Sequence, residues 1–151
     1  MTFYDDMKRK EREFFKFIDN VDVIMAKIAL QNADKAVEFL KAQLYSGERS
    51  DGSMIEPPYA KNTIRQKKLL DKPTNRVTLL WKGDFYGSIT AKRSGSELIF
   101  DASDDKKSML LSKYERGNAK ILDLNKQWAT TFMNQVVIPE IRIRGQKILD
   151  N

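Results

Sequence analysis

Apolar side chains recur at helical spacing through the first third of the chain. Residues 3 to 18 join strong helix formers to a cluster of apolar side chains, and acidic residues lie near the start, where the helix dipole favours them. From Asp22, a residue type that caps helices, apolar positions then follow at steps of three and four: Ala26, Leu30, Ala33, Val37, Leu40 and Leu44. The pattern predicts a first helix and then a longer continuous one that ends near Ser46-Gly47.

The middle of the chain changes to turn residues and short apolar runs. Residues 47 to 58 gather Gly, Ser, Asp and Pro and predict an exposed loop. A short basic helix is expected from Tyr59 to Leu70, before Pro73. Two apolar runs, which contain Ile89 and residues 98 to 100, flank Ser94-Gly95-Ser96 and predict a β-hairpin.

The last third predicts two further helices. Residues 104 to 114 can form a short helix with Met109, Leu110, Leu111 and Tyr114 facing inward. A longer helix is expected to begin at Asn125, a good N-cap, and to be kinked or broken at Pro139, because proline removes a helical hydrogen bond. Together these elements predict one α+β domain over residues 1 to 151, with long N- and C-terminal helices packed on a small antiparallel β-sheet.

The segment from Leu79 to Ile89, "LLWKGDFYGSI", tests whether paired glycines signal a ligand loop. It lacks the Gly-Lys-Ser/Thr ending of a Walker motif, and the spacing of Gly83 and Gly87 does not match the dinucleotide fingerprint. We therefore expect Leu79, Leu80 and Trp81 to enter the core and Gly83 to turn the chain. A short turn or helical bend follows, and Gly83, Asp84, Phe85 and Ser88 are assigned to maintaining the fold.

Composition narrows the chemistry that the chain can perform. At 41% hydrophobic and 32% charged residues, it has enough apolar surface to fold as a soluble globular protein. It contains neither cysteine nor histidine, which excludes thiolate sites, histidine metal ligands and a Ser-His triad. Residues 1 to 15 mix charges and no long apolar run follows, so neither a signal peptide nor a membrane span is expected. We expect no enzymatic activity, catalytic residue, cofactor or metal.

A net charge of +6 and one basic stretch raise the question of nucleic acid. The basic residues of this stretch could follow a phosphate backbone: Lys61, Arg65, Lys67, Lys68, Lys72 and Arg76. No aromatic residues interleave with them and no DNA-reading motif accompanies them, so a solvated face or an acidic protein partner is favoured. A basic nucleic-acid-binding accessory protein remains the alternative function.

Two other groups of residues have competing interpretations. Asp101, Asp104 and Asp105 could hold Mg²⁺, but the last two precede a predicted helix and are better explained as capping residues. The aromatic residues at helical spacings are interpreted as core or subunit contacts rather than as a cofactor site: Phe14, Phe15, Phe17, Trp128 and Phe132.

The order of several short motifs resembles a known family. Gly47, Asp51-Gly52, Pro58-Tyr59-Ala60, Thr63 and Lys67, then "VTLL" and Gly83-Asp84-Phe85 with Ser88, resemble the tail-completion and head-tail connector proteins of tailed bacteriophages. The similarity is best over residues 45 to 115. "KYERGNAKILDLN" resembles a further family segment, in which Asp123 replaces a glycine, and Lys82 stands where the family usually has threonine.

The resemblance implies a small α+β virion protein that forms a homo-oligomeric ring at the neck between the portal and the tail. Its expected location is the neck or tail of the virion, and the host cytoplasm during assembly. Its expected partners are copies of itself and portal, adaptor or tail proteins, with non-specific proximity to DNA and no membrane. Contacts are expected in residues 46 to 58, 61 to 76 and 104 to 118. The candidate interface residues are Arg49, Asp51, Tyr59, Lys61, Arg65, Lys67, Lys68, Lys106, Lys107 and Tyr114.

Overall fold

A computed structural model describes residues 2 to 151 as a helix-rich chain with one β-hairpin. Its elements in order are α1 (Phe3–Asp19), α2 (Val21–Gln31), α3 (Ala33–Tyr45), α4 (Lys61–Leu69), α5 (Asp84–Gly87), β1 (Ile89–Ser94), β2 (Glu97–Ala102), α6 (Lys107–Tyr114), α7 (Lys126–Phe132) and α8 (Ile138–Asp150). A π-helical segment, Met133–Val137, joins α7 to α8. Most of the predicted elements are present within a few residues of their expected ends.

The first helix begins with a reciprocal cap. Thr2 Oγ1 accepts from Asp5 N–H at 3.1 Å, and Asp5 Oδ2 accepts from Thr2 N–H at 3.1 Å. These two hydrogen bonds satisfy amides that have no partner inside the helix. The prediction of a helix from residue 3 is confirmed.

The prediction of one long second helix is wrong, because the chain breaks at Asn32. Asn32 has φ −111° and ψ 30°, outside the helical region, and its side-chain amide donates to the Ile28 carbonyl at 2.9 Å. An asparagine side chain that bonds nearby backbone competes with helix continuation. The apolar spacing continues across the break, and α2 begins after Asn20 rather than being capped by Asp22.

The hairpin pairs β1 with β2 in antiparallel register, from Ile89 opposite Ala102 to Ser94 opposite Glu97. Gly95 has φ +61° in the turn, a conformation that glycine adopts without steric cost. Ile89, Phe100 and Ala102 are buried, and α2 and α3 pack against the strands. The predicted hairpin is confirmed.

Pro139 lies in the first turn of the C-terminal helix α8. Proline cannot donate to the carbonyl four residues earlier, and the chain widens into π-helix over Met133–Val137 before α8 begins. Asn125 caps the start of α7, since its side chain accepts from Trp128 N–H at 3.0 Å. The expected cap is confirmed, and the expected irregularity lies just before the proline.

One core joins the helices to the hairpin. Its fully enclosed apolar side chains include Ile28, Leu40, Leu44, Ile121 and Val137, which come from α2, α3, the 115–125 segment and the π-helical turn. The α+β class is therefore confirmed. The sheet is covered by α2 and α3, whereas α1 packs on α8. Among residues 2 to 151, no helix is both long enough and apolar enough to cross a membrane.

Candidate functional site

A cleft of about 350 Å³ brings together several residues that the sequence singled out. We call it the Lys67 cleft. One side is formed by α4 and the preceding Tyr59, the floor by residues 79 to 85, and the far side by α6. Its wall residues include Tyr59, Lys67, Leu80, Trp81, Phe85 and Met109. Met109 is 57% exposed at the mouth, so the expectation that it faces inward is wrong.

The side chain of Lys67 is almost fully enclosed, with 2% of its surface exposed. Its ammonium donates to the Leu80 carbonyl at 2.9 Å and lies 4.4 Å from the ring centroid of Tyr59 and 5.7 Å from that of Trp81. A buried ammonium is costly unless it is hydrogen-bonded or placed over aromatic faces, and here it has both kinds of contact. Lys67 therefore ties α4 to the cleft floor and is withdrawn from solvent.

Two tyrosines fix the irregular backbone of the floor. Tyr59 Oη accepts from the amides of Thr78 and Leu79 at 2.9 and 3.3 Å. Tyr86 Oη donates to the Thr78 carbonyl at 2.5 Å. Leu79 has φ +58°, which is unusual for a residue with a side chain, and these bonds hold it there. Side chains thus satisfy backbone groups of the floor that lie outside helices and strands.

The surroundings of the two tyrosines shift their pKa values in opposite directions. Burial by itself would raise the pKa of Tyr59, but hydrogen bonds from the Thr78 amide and the Lys67 ammonium outweigh it, so the pKa is lowered. Burial raises the pKa of Tyr86, with a further contribution from Tyr59. Tyr86 is thus held as a neutral donor, whereas Tyr59 acts as an acceptor beside a cation.

The segment from Gly83 to Ser88 forms the short bend that its sequence predicts. Gly83 has φ +90°, Phe85 is 4% exposed, and Ser88 Oγ donates to the Phe85 carbonyl at 2.8 Å. Asp84 is exposed in the first turn of α5. Phe85 and Ser88 make internal contacts that suit a fold-maintaining role, whereas the role assigned to Asp84 stays a prediction.

Two candidate contact residues outside the cleft floor lie inside the molecule. Arg49 is 7% exposed and donates to Ser53 Oγ at 2.9 Å and to the Tyr114 carbonyl at 3.2 Å. Tyr114 is 5% exposed. Together with Lys67, these side chains are committed to internal contacts, so their expected role as partner-binding groups is corrected. Asp51, by contrast, is exposed at the tip of the 47–58 loop, where it accepts from the amide and hydroxyl of Ser53.

The basic stretch does not form one free surface. Lys61, Arg65 and Lys68 are exposed, but Lys67 is buried. Arg76 donates to the Tyr45 carbonyl at 2.6 Å, with its guanidinium 4.9 Å from the Tyr45 ring centroid. The exposed cations that remain on α4 are Lys61, Arg65 and Lys68, and binding of a phosphate backbone by them stays a prediction.

The acidic trio is divided between local contacts. Asp101 pairs with Lys107, which lowers the pKa of Asp101 through the hydrogen bond from the lysine. Asp104 Oδ1 accepts from Lys106 N–H at 2.8 Å, as expected of a residue before a helix. Within residues 2 to 151, no group of three acidic side chains is placed to hold a metal ion. Lys106 itself is exposed at the rim of the Lys67 cleft.

The sequence did not predict one buried polar cluster. Gln43, fully buried on α3, donates to the Asp123 carbonyl at 2.8 Å and accepts from Asn125 N–H at 2.7 Å. Glu48 accepts from Trp128 Nε1 at 2.8 Å and from Asn125 Nδ2 at 3.2 Å. The available signal was the position of Gln43, three residues after Leu40 on the apolar face of α3.

The most exposed apolar surface lies on α1. Phe3, Tyr4, Met7, Phe15 and Ile18 are 85%, 61%, 47%, 57% and 45% exposed, and none of the residues of α1 is buried. Phe14 and Phe17 lie beside Gly145 of α8. Of the other predicted aromatic contacts, Phe132 is in the core and Trp128 packs edge-to-face on Phe39.

Comparison with known proteins identifies no relative. No protein-family model, curated protein or solved structure matches the chain.

Proposed function

We propose that this protein is a virion structural protein of a tailed bacteriophage: a ring-forming head-tail connector or tail-completion subunit that joins the portal vertex to the tail. It assembles in the host cytoplasm and resides in the neck or tail of the virion. The order of motifs over residues 45 to 115 supports the family. The uncovered surface of α1 supports self-assembly and is the observation that carries the proposal.

Helix α1 has the surface of a subunit contact. It spans Phe3–Asp19 and leaves large apolar side chains exposed to solvent. The one element that it contacts extensively is α8. Apolar side chains also project from α8, where Ile143 and Leu149 are 50% and 46% exposed. Several large apolar side chains exposed on one helix are typical of an interaction site.

Covering this surface with a second copy would be favourable. Fully burying a side chain such as Phe15 contributes about 1.5–3 kcal/mol, so several of them can offset the entropy of association. The charges of α1 do not oppose such packing. The helix carries equal numbers of acidic and basic residues, and many of them pair with each other along it.

Two kinds of measurement test the proposal: the mass of the protein in solution and its presence in the virion. Sedimentation velocity of the purified protein over a range of concentrations should reveal a discrete oligomer, and electron microscopy should image it as a ring. Mass spectrometry of dissociated phage particles should detect the chain as a stoichiometric component. A protein that stays monomeric at high concentration and is absent from dissociated particles contradicts the proposal.

A further inference from the structure

An apolar groove with acidic side chains lies away from the Lys67 cleft. It has a volume of about 450 Å³ and lies between α2, β2 and the start of α7. Its apolar walls come from Met25 and Ala29 of α2, Leu98 and Phe100 of β2, and Phe132 of α7. Asp22 and Asp123 are the charged residues of its lining. We call it the acidic groove.

The carboxylates of the acidic groove have no internal cation. Within residues 2 to 151, Asp22, Glu97 and Asp123 take part in no ion pair, although Lys120 lines the neighbouring face of β2 with Glu97 and Asp123. Burial raises the pKa of Asp123, and repulsion from Glu97 adds to the increase. A cation placed at this rim would relieve that repulsion.

A second feature of the molecule is apolar and basic. Helix α4 ends in two exposed leucines, Leu69 at 81% and Leu70 at 54% exposed. Lys68 precedes them and Lys72 follows, and Asp71, at φ +54°, turns the chain beside them as the one acidic group of this tip. We call residues 68 to 72 the dileucine tip. Neither leucine lines the Lys67 cleft or the acidic groove of its own molecule.

Charge separates this tip from the other exposed apolar segment. Helix α1 carries equal numbers of acidic and basic residues, so it has no net attraction for an acidic rim. Helix α4 contains no acidic residue, and Lys61, Arg65 and Lys68 are exposed on it. Electrostatic complementarity between unlike patches fixes register and suppresses wrong partners. The dileucine tip is therefore the better match.

We propose that the dileucine tip of one copy inserts into the acidic groove of the next copy, with Lys68 and Lys72 facing Asp22 and Asp123. The contact rests on the proposed function, because it supplies the head-to-tail interface that a ring of identical subunits needs. Contacts between two unlike faces repeat from copy to copy and close when the rotation closes. The α1 surface then adds contact area to the same assembly.

A charge-exchange experiment tests the pairing. One variant carries Asp22→Lys and Asp123→Lys, and another carries Lys68→Glu and Lys72→Glu. Each alone places like charges across the contact, and sedimentation should detect at least a roughly tenfold weaker self-association. Mixed in equal amounts, the two variants present opposite charges at each contact between unlike variants, so oligomers in which they alternate should appear. A matched control, Lys27→Glu with Lys35→Glu, makes the same charge change on exposed positions of α2 and α3 and should assemble like wild type.

The outcomes separate this inference from the proposed function. Circular dichroism identifies a variant that does not fold, and restoration by mixing cannot come from misfolded chains. Should both charge variants assemble like wild type, or the folded mixture stay dissociated, the pairing is overturned while ring formation by the native chain still stands. Loss of binding to a portal or tail protein with self-assembly intact would assign the groove to that other occupant and overturn the pairing too. A native chain that is monomeric throughout contradicts the contact, and its absence from phage particles then contradicts the proposed function as well.

Discussion

The buried polar cluster around Gln43 and the uncovered helix α1 invert the usual distribution of residue types. Gln43 is fully enclosed, and its amide satisfies backbone groups of the segment before α7. Phe15, an aromatic residue, is 57% exposed. The first region stabilises one chain, because every group in it has an internal partner. The second contributes little to one chain and has a surface suited to another copy.

Two phenylalanines give the largest contrast between the regions. Phe132 is 4% exposed and packs edge-to-face on Phe39. We expect Phe132→Ala to reduce the free energy of unfolding by about 3–5 kcal/mol, through lost burial and a cavity. Phe15→Ala is the matched control and should cost less than about 1 kcal/mol in the monomer, since more than half of its side chain is already in water. Urea unfolding at a dilution where both variants are monomeric measures the difference. Equal losses in the free energy of unfolding would contradict the expected difference between the two regions.

Removing the amide of Gln43 should have the next largest effect. Gln43→Leu keeps the volume but leaves the Asp123 carbonyl and the Asn125 amide without partners. At about 1–3 kcal/mol for each of the two buried unsatisfied groups, the loss would be roughly 2–6 kcal/mol, and burying the leucine side chain offsets part of it, which leaves about 2–4 kcal/mol. Gln127→Leu, at an exposed position of α7, should stay within about 0.5 kcal/mol of wild type. Thermal unfolding followed by circular dichroism compares the two variants. A Gln43→Leu protein as stable as wild type would mean that the cluster does not stabilise the fold.

A smaller loss is expected at the Lys67 cleft. Tyr59→Phe deletes the acceptor for the amides of Thr78 and Leu79, and the Lys67 ammonium loses a neighbouring oxygen. We expect a loss of about 1–2 kcal/mol. Tyr45→Phe is the control, since its ring is partly exposed and packs on Arg76. Hydrogen exchange at Thr78 and Leu79 should accelerate in Tyr59→Phe alone, and unchanged protection there would contradict the proposed hold on the floor.

The smallest effect on the monomer should come from the cap of α1. Thr2→Ala breaks the reciprocal hydrogen bonds with Asp5. We expect about 0.5–1 kcal/mol, the lower part of the range for a helix cap, because α8 is the one element that α1 contacts extensively. Thr2→Ser, which retains the hydroxyl, should behave like wild type. Amide exchange in the first turn of α1 provides the measurement, and a loss as large as that of Gln43→Leu would mean that α1 belongs to the cooperative core.

Local signals in the sequence predicted local structure well. The start of α1, the hairpin at Gly95 and the cap at Asn125 each follow from residues within a few positions of one another. The break at Asn32 was missed because the apolar spacing continues through it, and the preference of asparagine for bonding nearby backbone is weak beside that pattern.

The candidate site could be only partly predicted, because its contacts join distant residues. Lys67 and Arg49 were expected on the surface, where charged residues usually lie. They are buried through bonds to the Leu80 and Tyr114 carbonyls, and a single sequence does not reveal such pairings. The inward face of α4, with Thr63 and Ile64 one turn before Lys67, was the one local hint.

Sedimentation equilibrium of Phe15→Glu against Met109→Glu tests most directly whether α1 is a subunit contact. Both positions are 57% exposed, so the same charge is introduced at equal exposure on α1 and on α6. We expect Met109→Glu to keep the wild-type oligomer mass, whereas Phe15→Glu, folded by circular dichroism, should sediment as a smaller species. A Phe15→Glu protein with the full wild-type oligomer mass would contradict it.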